Sequence, residues 1–477
     1  MDTTRIRALR KHPLATGLAV LLATTGVAAL PMSVAIADRA PPAMLRSSSG
    51  TPRPAAAAPA MTSPDHVLDT VYATNCNDSG PGSLRDAVAT AASGDTVDLS
   101  QLSCSRITLT TGSIDVAQQD LFIVGRDPNA LAIDGSGIPG SGVILHSNTG
   151  LLALIGLTIE NGSAYHFMAS AFGGCVDSLG DLEIVDATLQ NCTAQAYFPY
   201  SALGGAIYSY GEVALAESRV TESEAVATGS YATGGGIYAR GGIESLFSQV
   251  SGNAAYGGNS WGGGVFSRGP AYIYGNEISR NYAVNWSGLA LDDQNGTIAK
   301  VVNSTVSYNR AGHKVGGVFA HQPVQMYNST VAFNTSYIWS DNGHYFAAGL
   351  DADDSTSIVT DSILANNTIP GAGLVGDLMD LCGDAASVGG ALDIAMGYCI
   401  AGPAYFYSVD PGLQPLQDHG GPTHTMVPTN ADAVQEFNPL NLQWDQRGPG
   451  FPRDAGGTVI LGAYEPNPEV IFANGFN

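Results

Sequence analysis

The sequence is poor in charge and nearly empty of lysine. Charged residues make up 13% of its 477 positions, and the only lysines are Lys11, Lys300 and Lys314. A formal charge of −23 repels polyanions, which argues against nucleic acid as a partner. No Cys-x-x-Cys pair is present, so the common zinc frameworks find no support. Ser-His-Asp spacing and a phosphate-cradling glycine loop are missing as well. After the apolar run Leu14 to Leu30, no stretch approaches the roughly 20 residues of a membrane-spanning helix. Low charge here does not mean disorder, because hydrophobic residues reach 44% and disordered chains are poor in them.

What the chain has in excess is glycine, 59 in all, which suits short strands joined by tight turns. Arg5, Arg7, Arg10 and Lys11 precede the run Leu14 to Leu30, and Ala35-Ile36-Ala37 offers a cleavage site. Residues 1–37 therefore read as an export signal, and 38–63 as a Pro/Ala/Ser-rich linker. Six cysteines fit export. Proximity pairs Cys76 with Cys104, Cys175 with Cys192 and Cys382 with Cys399, each bridge stabilising by about 3 kcal/mol in the chain-entropy model.

One phrase recurs, a glycine pair followed by any residue and an aliphatic one. It stands at Gly173-Gly174-Cys175-Val176, Gly204-Gly205-Ala206-Ile207, Gly234-Gly235-Gly236-Ile237, Gly262-Gly263-Gly264-Val265 and, shortened, Gly316-Gly317-Val318. Weaker copies at Gly288-Leu289-Ala290 and Ala348-Gly349-Leu350 give an aliphatic series of 176, 207, 237, 265, 290, 318 and 350. A second phrase puts an aliphatic three before asparagine: Val250 with Asn253, Ile278 with Asn281, Val306 with Asn309, Val331 with Asn334, Leu364 with Asn367. Ile159, Leu189 and Val220 are earlier members. Such short runs, rich in Gly, Asn, Ser and Thr, cannot form helical repeats. Each unit reads as one coil of a solenoid, with strands stacked in parallel and asparagine turning the corner in the left-handed conformation.

The pattern resembles the right-handed parallel β-helix, a pectin-lyase-like all-β fold, over roughly residues 68–465. Within it, Gly204 to Ile207 resembles the Gly-Gly-Ala-Ile repeat of polymorphic outer-membrane-like proteins. The segment Asn77 to Ala87 looks like the opening of secreted β-helix proteins. Ser83 and Asp86 can cap a helix whose apolar face is Leu84, Ala87, Val88 and Ala91, with Gly94 as its stop. This predicts a short N-terminal capping helix over the open first coil. Asp410-Pro411-Gly412-Leu413, Gly420-Gly421-Pro422-Thr423, Asp445-Gln446-Arg447-Gly448 and Leu461 to Glu465 resemble the choice-of-anchor Q pattern of bacterial surface proteins. The expected organisation is a cap with first coils at 64–150, regular coils at 151–370, C-terminal coils with the anchor-like region at 371–465, and a tail at 466–477 that reads as a sorting signal. Location is expected to be extracellular or at the cell surface, associated with the outer membrane. Oligomeric state is left open.

Alternation along the first strand of each coil sorts its residues by face. Outward positions predict a ring row, Tyr208, Tyr238, Phe266 and Phe319, beside a polar row, Tyr210, Arg240, Arg268, Asp293, His321 and Asp353. The inserts Tyr197 to Tyr200, Tyr231, Tyr256, Trp261 and Trp286 precede these strands and can wall the surface. Stacked rings also stabilise a parallel sheet on their own. A ring row edged by charge, however, suits a sugar chain, whose apolar faces stack while hydroxyls and carboxylates find partners. The expectation is a polysaccharide- or cell-surface-glycan-binding protein with Tyr208, Tyr210, Tyr238, Phe266 and Phe319 as ligand contacts. The alternative is a lyase or glycoside hydrolase using Arg240, Arg268, Asp293, His321 and Asp353, and a third is a structural spacer. No cofactor is expected; Asp351, Asp353 and Asp354 are weak calcium candidates.

Overall fold

The computed structural model of the protein describes residues 68–337, 347–352, 357–370, 410–430, 442–453 and 459–466. It also gives the backbone of short strands at 340–341, 344–345, 381–383, 387–389, 392–393 and 434–435. The expected signal, linker and tail lie outside the described residues, as do Asp353, Asp354, Cys399 and the side chain of Cys382.

The chain winds into a parallel β-helix of the right-handed type. A representative coil runs through Ile207–Ser209, Glu212–Ala216, Arg219–Thr221 and Glu224–Thr233. Equivalent strands of successive coils pair in parallel and build sheets of 10, 12, 11 and 9 strands respectively. Each coil thus has two strands beyond those the two phrases marked: the alternating Glu212-Val213-Ala214-Leu215-Ala216 type, whose Val213 and Leu215 point inward, and the Glu224–Thr233 type of the fourth sheet.

The core is a set of aliphatic rows, one residue per coil. Val176, Ile207, Ile237, Val265, Leu289, Val318 and Leu350 are in register in the first sheet. Ile159, Leu189, Val220, Val250, Ile278, Val306, Val331 and Leu364 form the equivalent row in the third. Full burial of each such side chain is worth about 1.5–3 kcal/mol. One expectation is corrected: Leu289, not Ala290, occupies the inner row, so the coil is read one residue too late. The physical signal is the glycine directly before the aliphatic, shared by Gly236, Gly264, Gly288, Gly317 and Gly349.

The corner asparagines form a hydrogen-bonded ladder. Nδ2 of Asn253 donates to Oδ1 of Asn281 (3.1 Å), Asn281 to Asn309 (2.9 Å), Asn309 to Asn334 (3.0 Å) and Asn334 to Asn367 (2.9 Å). These asparagines do not themselves take the left-handed conformation. The preceding residue does: Gly252, Arg280, Tyr308, Phe333 and Asn366 all have positive φ. Asn161 and Asn191, two residues after Ile159 and Leu189, occupy that left-handed position themselves. At the opposite corner a second ladder joins Ser218, Ser248, Asn276, Ser304, Ser329 and Ser362, each side chain accepting from the backbone amide one coil earlier.

The glycine pair does two separate jobs. Gly204 has φ +68°, and a Cβ there would lie 2.0 Å from the Ile207 carbonyl oxygen. Gly205 faces the next coil, where its Cβ would lie 2.0 Å from the Gly235 oxygen. One glycine bends the chain; the other lets coils approach.

Helix α1 (Leu84–Thr90) begins as predicted. Ser83 Oγ accepts from the Asp86 amide, Asp86 Oδ2 accepts from the Gly82 amide, and Leu84, Ala87 and Val88 are buried. It ends at Ala91 rather than Gly94, because Ala91 is already extended. Disulfides join Cys76 to Cys104 and Cys175 to Cys192, with Cα separations of 6.3 and 5.4 Å.

The fourth sheet forms a fin. After the asparagine corner the chain runs outward along Thr193–Tyr197, turns at Phe198-Pro199-Tyr200 and returns along Ala202–Leu203. Both legs pair with Glu224–Thr233 of the following coil. The inner faces are lined by Ala194, Ala196, Ala202, Ala225, Ala227 and Ala232, since two layers this close leave room only for methyl groups.

The C-terminal segments 410–430, 442–453 and 459–466 fold back onto the third sheet and its corner. Thr423 Oγ1 donates to the Gly275 oxygen (3.0 Å), and Thr305 Oγ1 to Gln446 Oε1 (2.5 Å). His424 Nδ1 lies 2.9 Å from Oε2 of the buried Glu277. Glu277 raises the His424 pKa above its ordinary 6.5. Burial raises the Glu277 carboxyl, but hydrogen bonds from His424 and Ser279 outweigh it and hold the carboxyl below its ordinary 4.5. The sign follows. The histidine's contribution is complete below its unfolded pKa and is lost as pH rises through the folded one. The glutamate's is complete above its unfolded pKa and is lost as pH falls through the folded one. Amide protection at 423–426 should therefore be higher at about pH 5.5 than at about pH 8.5, measured by hydrogen exchange. His424→Ala should flatten that difference; an unchanged difference would assign it elsewhere.

Candidate functional site

The predicted ring row is aligned. Tyr208 stacks on Tyr238 at 5.4 Å and 16°, and Tyr238 on Phe266 at 5.4 Å and 18°. Strand pairing places Ala290 next and Phe319 after it. The expectation that these rings face solvent is corrected: Tyr238, Phe266 and Phe319 are 7%, 5% and 3% exposed, and Tyr208 is half-buried. Their cover is the returning leg of the fin, which lays Leu203, Trp261 and Trp286 over them. Trp286 lies face to face with Phe319 at 3.7 Å, filling the space left by Ala290. Tyr231, half exposed, stacks on Trp261 at 5.4 Å.

The wall residues divide accordingly. Trp261 and Trp286 lie over the ring row, with Tyr231 stacked on Trp261. Tyr256 instead meets Tyr282 on the outgoing face, and Tyr197 meets Tyr165 and Phe167 there. Tyr200 packs against the alanine layer.

The polar row borders this aromatic wall. Main-chain ladder bonds carry its register: Tyr210 N to Ser178 O, Arg240 N to Ser209 O, Arg268 N to Ala239 O, Asp292 N to Ser267 O and His321 N to Leu291 O, all 2.8–2.9 Å. The one-residue shift puts Asp292 in the row and removes Asp293. Asp293 is buried and accepts from the Asn295 and Thr297 amides and from Asn295 Nδ2. Burial raises its pKa, yet those hydrogen bonds hold it below the ordinary value. It is a turn-forming residue, so its candidacy for catalysis is withdrawn.

Asp292 was missed and is central. Its Oδ1 lies 2.6 Å from His321 Nδ1, and its Oδ2 3.9 Å from Arg268 Nε. The His321 ring stands edge-on to Phe319 (4.7 Å) and Trp286 (5.5 Å). Arg240 lies with Cζ 4.1 Å over the Tyr210 ring, and among the described residues it has no carboxylate partner. At the start of the floor row Asp177 is pushed up to about 6 by burial.

Asp351 follows Phe319 in register and is buried. Among the described residues no group of three or more His, Cys, Asp and Glu is placed to hold a metal ion. None of their helices is long and apolar enough to cross a membrane. Comparison with protein-family models, curated proteins and solved structures finds no match at a significant level.

Proposed function

We propose that the protein binds an extended anionic glycan along the polar row of the first sheet, beside the returning leg of the fin, in an adhesive rather than a catalytic role. The observation that carries this reading is Arg240 seated on Tyr210 beside Arg268 on the next coil. Arg268 has Asp292 Oδ2 at 3.9 Å, whereas Arg240 has no carboxylate partner among the described residues. A carboxylate or sulfate on the ligand supplies the partner that Arg240 lacks, while the half-exposed rings of Tyr210 and Tyr231 offer surface for sugar rings. The buried rings Tyr208, Tyr238, Phe266 and Phe319 hold the floor in shape.

On an array of anionic and neutral glycans, the full chain should be retained on the anionic members. Arg240→Ala and Tyr210→Ala should each weaken retention by about tenfold; equal retention on neutral glycans would sink the reading. A second reading rests on the Asp292–His321 pair, since an imidazole oriented by a carboxylate is how a general base is held. Release of unsaturated sugar product, abolished in His321→Ala, would make the protein a polysaccharide lyase instead.

A further inference from the structure

Charge is sparse along the fin over its first five coils. Residues 162–176, 192–211, 225–239, 245–267 and 281–291 contain no Asp, Glu, Lys or Arg. Five successive coils thus present neutral fin segments in a chain of net charge −23. At the tip, Phe167, Met168 and Phe198 are 68%, 77% and 73% exposed. Tyr165 and Tyr197 brace them from the outgoing face, at 5.7 Å from each other, with Phe167 at 5.5 Å from Tyr197.

We infer that the fin tip inserts into the interfacial region of a zwitterionic lipid bilayer, with Phe167, Met168 and Phe198 as the inserting side chains. Three features select this occupant. A protein-binding patch normally keeps a charged or strongly polar rim around its apolar centre, and here charge is missing along the segments themselves. The tip is formed by chain reversals, and a deformable bilayer covers a projecting tip where a rigid glycan cannot. Aromatic side chains settle at the headgroup level, and the lack of Lys or Arg in the five segments that form and flank the tip selects neutral over anionic lipid. The backbone of the Phe198 turn is already hydrogen-bonded, as insertion demands. Phe198 N donates to Thr228 O, Tyr200 N to Tyr197 O, and Ser201 N to Ser170 Oγ.

The test places a reporter at the tip of the full chain. Phe198→Trp adds one indole to the four native tryptophans; its emission is the difference from the unsubstituted chain. With vesicles of brominated phosphatidylcholine the added emission should shift blue and be quenched. Adding Phe167→Ser and Met168→Ser should weaken this vesicle partitioning by roughly a hundredfold. Met168→Trp, tested in parallel, guards against a local defect at position 198. Unquenched emission from both reporters would overturn the inference. So would a blue shift that grows with protein concentration alone, which would mean self-association, or one seen only with polysaccharide.

Discussion

Asn309→Ala should lower the stability of the solenoid by about 4 kcal/mol, read as a fall in the urea midpoint at constant slope. Asn309 Oδ1 accepts from both the amide N–H and the side chain of Asn281, and its Nδ2 donates to Ile278 O and to Asn334 Oδ1. Alanine leaves the buried Asn281 amide without its partner, at about 1–3 kcal/mol, and also removes the side-chain bonds to Asn281, Ile278 and Asn334. The damage should be nearest-neighbour in character. Hydrogen exchange should accelerate first in the coils holding Asn281 and Asn334 and spread outward. As the contrast, Asn366→Gly changes a left-handed residue that precedes the ladder, where glycine adopts the conformation readily. That variant should cost far less. Equal losses in the two variants would show that the ladder side chains do not hold the corner.

The contrast also marks where sequence reading reached and where it stopped. Rows such as Val220, Val250, Ile278 and Val306 were legible because each coil contributes one inward aliphatic at a fixed step from the corner. Asp292 was not, because Leu289-Ala290-Leu291 offers an apolar residue at every position. A slip of one then leaves the apolar pattern intact while it exchanges Asp292 for Asp293 on the outer face. The ring row was legible as a row. Its burial was not, since it depends on how the inserts before each strand fold into a two-layered fin. Alternation within a strand says which face a side chain takes, not what later covers that face. The C-terminal segments lay furthest from reach: Arg453 meets Asn303 across 150 positions, and no local pattern announces such a contact.

That contact is the basis for the remaining prediction. Arg453 is fully buried; its Nη2 donates to Asn303 Oδ1 (2.5 Å) and its Nη1 to Gly462 O (2.8 Å), with Glu465 Oε2 at 3.8 Å. Asn303 in turn donates to Trp444 O, so one guanidinium ties two separate stretches of the C-terminal region, 442–453 and 459–466, to a solenoid corner. Arg453→Ala should cost about 3–5 kcal/mol, because it leaves the buried acceptors Asn303 Oδ1 and Gly462 O short of a charged donor and removes the cation that offsets the burial of the Glu465 carboxyl, which is pushed up to about 8. Arg453→Lys should recover little, since an ammonium cannot reproduce the planar fork that reaches Asn303 and Gly462 together. The loss should be local. Amides at 423–426, 444–448 and 461–465 should lose protection while the ladder from Asn253 to Asn334 keeps it. The loss should also deepen as pH rises. Burial pushes Asp361, at the same corner, up to about 7, and the charge of Arg453 works against that rise. A carboxyl whose pKa is raised on docking opposes docking increasingly from its ordinary 3.8 up to the docked value. Without the arginine that docked value climbs further, so the window of opposition widens. Uniform loss of protection across all coils, or a loss independent of pH, would show that Arg453 supports the solenoid as a whole rather than the attachment of its C-terminal segments.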